Sequence, residues 1–187
     1  MSAAPAGCQL YLAAPAELPP DFATTLAAVL DAVAVACVRL PALSESIELV
    51  RLAQSQGVAA LLDGNAELAA RIGADGVHLT DPEGYGAVRR ILGEQAIVGV
   101  HCGDSRHMAM EVAEAGASYV AFTADLDLVR WWAEIMVVPV VAEIGDDLGR
   151  AAEFVAAGAD FICPGEGVWQ DAADASTVVE RLARLLD

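Results

Sequence analysis

The chain has 187 residues and a mass of 19.3 kDa, about the size of one domain. It carries 27 acidic and 10 basic residues, and since every basic residue is an arginine, a Schiff-base lysine and a Walker-type phosphate lysine are excluded. The formal charge of −17 disfavours nucleic acid and anionic membrane surfaces as partners, and the apolar fraction of 56% excludes a disordered chain.

The start of the chain and its cysteines indicate a cytoplasmic protein. No stretch reaches the roughly 18 uninterrupted apolar residues of a membrane-spanning helix, and residues 1–5 lack the basic and apolar regions of a signal peptide. The cysteines form no C-x-x-C pair, so we expect four reduced thiols, at Cys8, Cys37, Cys102 and Cys163.

Short apolar runs alternate with helical patterns along the chain. The runs predict eight strands, at 9–13, 35–39, 58–62, 76–80, 97–101, 119–123, 137–142 and 160–163. The remaining segments predict eight helices, near 22–34, 44–56, 65–72, 84–92, 105–115, 125–135, 147–157 and 174–186. Strands of such continuous apolar character are typical of parallel sheets covered on both faces.

A repeat of two strand–helix units indicates a closed barrel. A Gly-Ala-Asp or Gly-Ala-Ser turn begins at Gly73, Gly116 and Gly158, spaced 43 and 42 residues apart, and each turn leads from a helix into a strand. Eight strand–helix pairs predict an α/β fold, a (β/α)8 TIM barrel with short loops that residues 1–187 form as a single domain. An open, doubly wound sheet is the second choice, because it would leave two apolar runs unexplained.

Polar residues gather where the predicted strands end, which is where TIM barrels carry their functional sites. In strand order these residues are Arg39, Asp63, His78, Thr80, His101 and Thr123. One hypothesis is a metal site, since Asp63, His78 and His101 supply two imidazoles and a carboxylate suited to zinc or iron. Cys102 or Glu143 would complete such a ligand set.

The most specific pattern in the chain is G-A-D-G-V-H-L at 73–79. Together with the segments 61–63, 68–72, 97–100 and 114–122, it resembles the thiamine phosphate synthase and thiazole tautomerase family over most of the chain. The resemblance implies a (β/α)8 barrel related to thiamine biosynthesis. The family's synthases join a hydroxymethylpyrimidine diphosphate to a thiazole phosphate, with Mg²⁺ on the diphosphate.

The resemblance also implies roles for individual residues. The substrate-binding positions would be Arg39, Asp63, His78, Thr80, Thr123, Gly145 and Gly165. The magnesium ligands would be Asp63 and Asp81. His101 stands in a V-H-C stretch where the tautomerases carry a histidine that moves protons, so it would be the catalytic residue.

Several family motifs are altered at these positions. The family has a lysine close behind its second-strand arginine, whereas this chain has none. The family's magnesium aspartate after strand three is either lost or displaced by one residue, to Asp63. The mobile loop after strand six is almost absent, because a helix is predicted two residues after Thr123. Carboxylates surround the expected phosphate turns, at Glu143, Asp146, Asp147 and Glu166.

These departures predict a diverged paralogue that has lost the synthase reaction, requires no cofactor and binds a small molecule at the carboxyl end of the barrel. The alternatives are an active synthase, which would use Mg²⁺, and a tautomerase or isomerase based on His101. A barrel mouth with many carboxylates and Arg39 as its basic residue should reject thiazole phosphate and thiamine phosphate. Neither a nucleic acid nor a membrane is expected as a partner, and a homodimer is left open.

Overall fold

A computed structural model, which describes residues 7–186, has eight parallel strands closed into a barrel. Each strand pairs with the next one along the chain, and the first pairs with the last through Gln9 with Phe161 and Leu10 with Ile162. The (β/α)8 prediction is therefore confirmed, and the open doubly wound sheet is excluded because a sheet of that kind has two unpaired edges.

Strands and helices alternate throughout the described chain. The strands, numbered β1 to β8, are Gln9–Ala13, Val35–Leu40, Ala59–Asp63, Gly76–Leu79, Ile97–His101, Tyr119–Thr123, Val140–Gly145 and Phe161–Pro164. The helices, numbered α1 to α8, are Phe22–Ala32, Ser46–Ser55, Ala66–Ile72, Tyr85–Leu92, Arg106–Glu114, Leu126–Ile135, Ala151–Ala156 and Ala175–Ala183. Short 3-10 helices precede α4, α7 and α8, at Pro82–Gly84, Leu148–Arg150 and Glu166–Trp169.

The largest boundary error among the strands concerns β7, which was predicted at 137–142 and begins at Val140 instead. Val137 is 98% exposed, so its β-branched side chain belongs to the surface connection and not to the sheet. The strand continues to Gly145, and this extension places Glu143 inside the strand. Because side chains alternate along a strand, Glu143 shares the inner face with the buried Val141.

Both faces of the barrel strands are buried. Outward side chains such as Leu12, Val98 and Phe122 pack against the helices in the main hydrophobic core. Inward side chains form a smaller cluster in the barrel interior, composed of Tyr11, Ala13, Cys37, Leu61, Tyr119, Ala121, Val141 and Cys163. This double burial explains why the strands appear in the sequence as nearly continuous apolar runs.

A glycine on β5 gives the interior room for an aromatic ring. A methyl group on Gly99 would overlap the ring of Tyr119, which crosses the barrel at that level. The glycine therefore allows Tyr119 to point its hydroxyl group toward His78 on β4. The interior thus combines apolar packing with a few directed polar groups.

The thiol prediction is consistent with the structure, in which all four cysteines are free. Cys37 on β2 and Cys163 on β8 are separated by β1 in the barrel order, as expected from the sequence. Burial raises the pKa of both thiols, that of Cys163 to about 12, so both are protonated near neutral pH. No helix among the described residues is long and apolar enough to span a membrane.

Candidate functional site at the barrel mouth

Five side chains from five strands meet at the carboxyl end of the barrel. They form what we call the mouth cluster, which consists of Arg39 from β2, Asp63 from β3, His78 from β4, His101 from β5 and Glu143 from β7. Strand register places these side chains at a similar height along the barrel axis, since Asp63 is the pairing partner of His78 on the neighbouring strand. Four of the five were predicted as site residues from the sequence, and Glu143 was named there as a possible further metal ligand.

Glu143 is the centre of the mouth cluster. Its Oε1 accepts a hydrogen bond of 2.9 Å from Arg39 Nη1, and its Oε2 lies 3.0 Å from His101 Nδ1. Arg39 also reaches Asp63, with 3.3 Å between Nε and Oδ1. One guanidinium group thus pairs with two carboxylates, and one carboxylate connects an arginine with a histidine.

The surroundings of Glu143 keep it ionised. Burial works to raise the pKa of this carboxyl group, but the His101 hydrogen bond and the charge of Arg39 outweigh it and lower the pKa to about 2. Burial also raises the pKa of Asp63, against the opposing effect of Arg39. With both carboxylates ionised, Arg39, Asp63 and Glu143 together carry a net charge of −1.

The His101–Glu143 pair fixes the orientation of the imidazole. Because an ionised carboxylate only accepts hydrogen bonds, His101 Nδ1 carries a hydrogen, which in the neutral ring puts the lone pair on Nε2. The side chain of His101 is about a quarter exposed, so a ligand in the mouth can reach it. This arrangement is suited to a general base.

His78 lies at the floor of the mouth cluster and begins a hydrogen-bonded chain into the barrel. Its Nδ1 is 2.9 Å from the Tyr119 hydroxyl, which is 2.8 Å from the Tyr11 hydroxyl. Its Nε2 faces the mouth, 3.9 Å from Glu143 Oε1. Burial, followed by the charge of Arg39, lowers the pKa of His78 to about 3, so the ring is neutral near pH 7.

Both predicted threonines lie at the rim and are exposed. Thr80 follows β4 instead of ending it, because the strand stops at Leu79. The Thr123 hydroxyl donates a hydrogen bond of 3.2 Å to the Gly103 carbonyl, which ties the end of β6 to the loop after β5. The structure therefore does not bring either threonine into the mouth cluster.

The two predicted phosphate-binding glycines lie side by side, and the Gly165 amide donates a 2.8 Å hydrogen bond to the Gly145 carbonyl. The Asp146 carboxylate fills the space beside them, since its Oδ1 accepts a 3.0 Å hydrogen bond from the Gly167 amide. A methyl group on Gly165 would overlap that same oxygen. A side-chain anion of the protein thus occupies the corner where a phosphate was considered.

Several other rim carboxylates lie outside the mouth cluster and accept hydrogen bonds from the backbone. Asp81 accepts a 2.7 Å hydrogen bond from the Glu83 amide, and Asp125 caps α6 by accepting one of 3.0 Å from the Leu128 amide. Glu166 accepts a bond of 3.4 Å from the Ala16 amide. The negative charge of the mouth cluster therefore comes from Asp63 and Glu143.

The side chains present do not fit the magnesium site that the resemblance implied. Asp63 is paired with Arg39, and Asp81 caps the turn that begins at Pro82. Within residues 7–186, no three His, Cys, Asp or Glu side chains are grouped so as to hold a metal ion. This finding also removes the geometric support for a zinc or iron site built on Asp63, His78 and His101.

Sequence reasoning missed the central position of Glu143 and the roles of Tyr11 and Tyr119. The residue after the apolar run 140–142 was placed at a strand end, whereas alternation from Val141 would have placed Glu143 on the inner face. Nothing in the sequence marks the two tyrosines as functional, because aromatic residues in apolar strands usually belong to the hydrophobic core.

Comparisons with known proteins agree with the fold. A family model described as thiamine monophosphate synthase matches residues 41–168. A thiamine-phosphate synthase of Rhodospirillum centenum is 42% identical over 202 residues, which cover 96% of this chain and 98% of the relative. Another, from Erythrobacter litoralis, is 34% identical over 188 residues, covering 86% of this chain and 88% of the relative.

Solved structures extend the likeness to the whole barrel. A thiamine phosphate pyrophosphorylase from Pyrococcus furiosus has a TM-score of 0.80 at 20% identity, with 96% of this chain and 97% of that chain covered. A tryptophan synthase from M. tuberculosis has a TM-score of 0.77 at 13% identity and covers 96% of this chain and 93% of its own, which shows the fold alone. On the evidence of the family model and the full-length relatives, this chain belongs to the thiamine monophosphate synthase family.

Proposed function

We propose that this chain is a diverged member of the family that binds one small neutral or cationic molecule at the barrel mouth and does not join two phosphorylated precursors. The observation that carries the proposal is the pairing of Arg39 with both Asp63 and Glu143. An arginine whose charge is already balanced by two carboxylates has little attraction left for a phosphate group.

The other cations near the mouth do not replace Arg39. Arg106 begins α5 and lies over the Trp131 ring, with 4.6 Å between the guanidinium carbon and the ring centroid. Arg150 lies 5.0 Å from the centroid of the Phe154 ring. With no lysine in the chain, a diphosphate and a monophosphate would meet a mouth of net negative charge.

Asp146 adds a direct obstacle at the corner between β7 and β8. Its carboxylate already accepts the Gly167 amide hydrogen, so an incoming phosphate would have to displace it or lie against it. Two like charges at about 4 Å cost on the order of 4 kcal/mol at an effective dielectric constant near 20. This repulsion favours a ligand without negative charge.

The loops are also too short to enclose two substrates. β6 ends at Thr123 and α6 begins at Leu126, so two residues form the whole connection. The alignment with the Rhodospirillum centenum relative spans 202 positions, more than the 187 residues of this chain, so that relative has residues where this chain has none. Loops after the strands are where TIM barrels carry the groups that close over a substrate.

The second candidate is the synthase reaction itself, favoured by the full-length relatives named as synthases. One experiment separates the two functions. The purified protein is incubated with hydroxymethylpyrimidine diphosphate, thiazole phosphate and Mg²⁺, and thiamine phosphate is measured beside a family member that is active under the same conditions. We expect no product and no micromolar binding of thiamine phosphate in calorimetry. Product formation above the enzyme-free control, or micromolar binding, would overturn the proposal and restore the synthase.

A third candidate is an isomerase in which His101 moves a proton, favoured by the 3.0 Å contact between His101 and Glu143. Glu143 would hold the imidazole and stabilise its protonated form, while Nε2 takes the proton from the ligand. A substrate for this chemistry would be uncharged or cationic, for the same electrostatic reasons. Loss of any isomerase activity in both His101→Gln and Glu143→Gln is the expected signature, and full activity of either variant would exclude the role.

A further inference from the structure

We propose that His78 Nε2–H is the floor of the ligand site and donates a hydrogen bond to an uncharged acceptor atom of the ligand, a carbonyl oxygen or an unprotonated ring nitrogen. The inference rests on the proposed function, because it specifies the class of molecule that the mouth accepts. It starts from a buried polar atom that the protein itself leaves unpartnered.

His78 is 1% exposed, and its Nε2 has no hydrogen-bond partner within residues 7–186. Leaving a buried donor or acceptor unsatisfied costs free energy, because the group has given up its hydrogen bonds to water. The nearest acceptor, Glu143 Oε1, is 3.9 Å away, which is too long for a hydrogen bond, and it is already bonded to Arg39. The nitrogen therefore faces the mouth cluster with its bonding capacity unused.

The charge of Glu143 determines which ring nitrogen of His78 carries the hydrogen. If Nε2 held a lone pair, that lone pair would face an ionised carboxylate and the contact would be repulsive. With hydrogen on Nε2 the contact is attractive, and Nδ1 becomes the acceptor of the Tyr119 hydroxyl hydrogen. Tyr119 can then accept from Tyr11, so every hydrogen bond in the buried chain runs in one direction toward His78.

This donor has a defined preference among ligand atoms. An anionic atom would bond to Nε2–H, but it would lie against Glu143, whose charge repels it. A cationic group has no lone pair to offer. The ring itself stays neutral, because burial and the charge of Arg39 oppose its protonation. An uncharged carbonyl oxygen or ring nitrogen satisfies His78 without meeting a like charge.

The tautomer is tested first, by long-range ¹H–¹⁵N correlation spectra of the ¹⁵N-labelled protein at pH 7. We expect His78 to carry hydrogen on Nε2 in the wild type, and Tyr119→Phe to increase the Nδ1–H form because the hydroxyl donor is gone. The exposed His107 serves as internal reference, and His78→Gln assigns the resonances. A wild-type His78 with hydrogen on Nδ1 overturns the inference, and this result does not depend on whether Tyr119→Phe folds.

The ligand preference is tested in the same spectra with three small probes at equal concentration. 2-Pyrrolidinone offers an uncharged carbonyl, inorganic phosphate an anionic acceptor, and tetramethylammonium no acceptor. We expect only 2-pyrrolidinone to shift the His78 Nε2–H resonance, in a saturable manner. No shift with 2-pyrrolidinone, or an equal shift with phosphate, overturns the inference. Formation of thiamine phosphate would overturn the proposed function instead, so the two failures are distinguishable.

Discussion

At the residue scale, Glu143 and His78 show how burial and charge divide the roles of two neighbouring titratable groups. Glu143 is held ionised by Arg39 and His101, whereas His78 is held neutral by its burial. The mouth cluster therefore presents a fixed anion beside a fixed neutral donor across the physiological pH range. Ligand binding there requires no change of protonation in either group.

The lowered pKa values of His78 and Glu143 predict that acid destabilises the protein. Below pH 6.5 the unfolded chain binds a proton at His78, whereas the folded chain does not until about pH 3. The lowered pKa of Glu143 also makes acid destabilising, between the usual pKa of 4.5 and the folded value of about 2. The raised pKa of Asp63 has the opposite effect on stability. Between pH 7 and pH 5 the free energy of unfolding should fall by about 2 kcal/mol.

Chemical denaturation at pH 7.0 and pH 5.0 measures this fall. His78→Gln should show a clearly smaller difference between the two pH values than the wild type. His107→Gln is the matched control and should retain the wild-type difference, because His107 is 86% exposed on α5. An unchanged difference in His78→Gln would contradict the assignment of the effect to His78.

At the element scale, the site depends on how β5 and β7 present their inner faces. Gly99 on β5 leaves room for the Tyr119 ring, and Tyr119 in turn holds His78. The loop after β7 turns Asp146 toward the amide of Gly167 after β8. Each of these contacts can be tested by a substitution for which the chain offers a control.

Gly99→Ala should destabilise the barrel, because the new methyl group overlaps the Tyr119 ring in a closely packed interior. Overpacking of this kind costs about 1–3 kcal/mol. Gly86→Ala is the control, since Gly86 lies in α4 with no atom within 4 Å of the added methyl, and it should stabilise the helix by about 0.5–1 kcal/mol. If denaturant titrations show that both variants change the free energy of unfolding in the same direction, this account of the interior is refuted.

Asp146→Ser should open the corner at Gly165 and Gly167 to anions, because it removes the carboxylate that accepts the Gly167 amide hydrogen. Inorganic phosphate at about ten times its dissociation constant should then raise the melting temperature by about 3–6 °C. The wild type and Asp147→Ser, altered at the exposed neighbouring residue, should show no rise. Equal phosphate responses in all three proteins would mean that Asp146 does not exclude anions.

At the scale of the whole molecule, the fold could be predicted because eight apolar runs and the glycine turns repeat in a pattern that a closed α/β barrel explains in full, whereas an open sheet leaves two runs unexplained. Arg39, Asp63, His78 and His101 could be placed together since each ends a strand or lies near its end. These predictions need only the order of the strands along the chain and the alternation of side chains within each strand, and both can be taken directly from the sequence.

The centre of the site could not be predicted in the same way. The β-branched residues at 137–138 looked like the beginning of a strand, so the strand was placed too early and Glu143 was left at its end. The capping roles of Asp81 and Asp125 depend on turn geometry, which determines whether a rim carboxylate faces the mouth or the backbone. The paralogue with altered phosphate turns remains a prediction, while its family is confirmed.

The pairing of the first strand with the last has a consequence for the order of folding. Two register pairs join β1 to β8, and Trp169 adds an indole hydrogen bond of 2.7 Å to the Ala13 carbonyl across the same seam. These contacts link residues about 150 positions apart, so their formation has the largest entropic cost of loop closure among the strand pairings of the barrel. A nascent chain therefore holds β1 without its second neighbour until β8 has emerged from the ribosome, so the barrel cannot close before β8 has been synthesised.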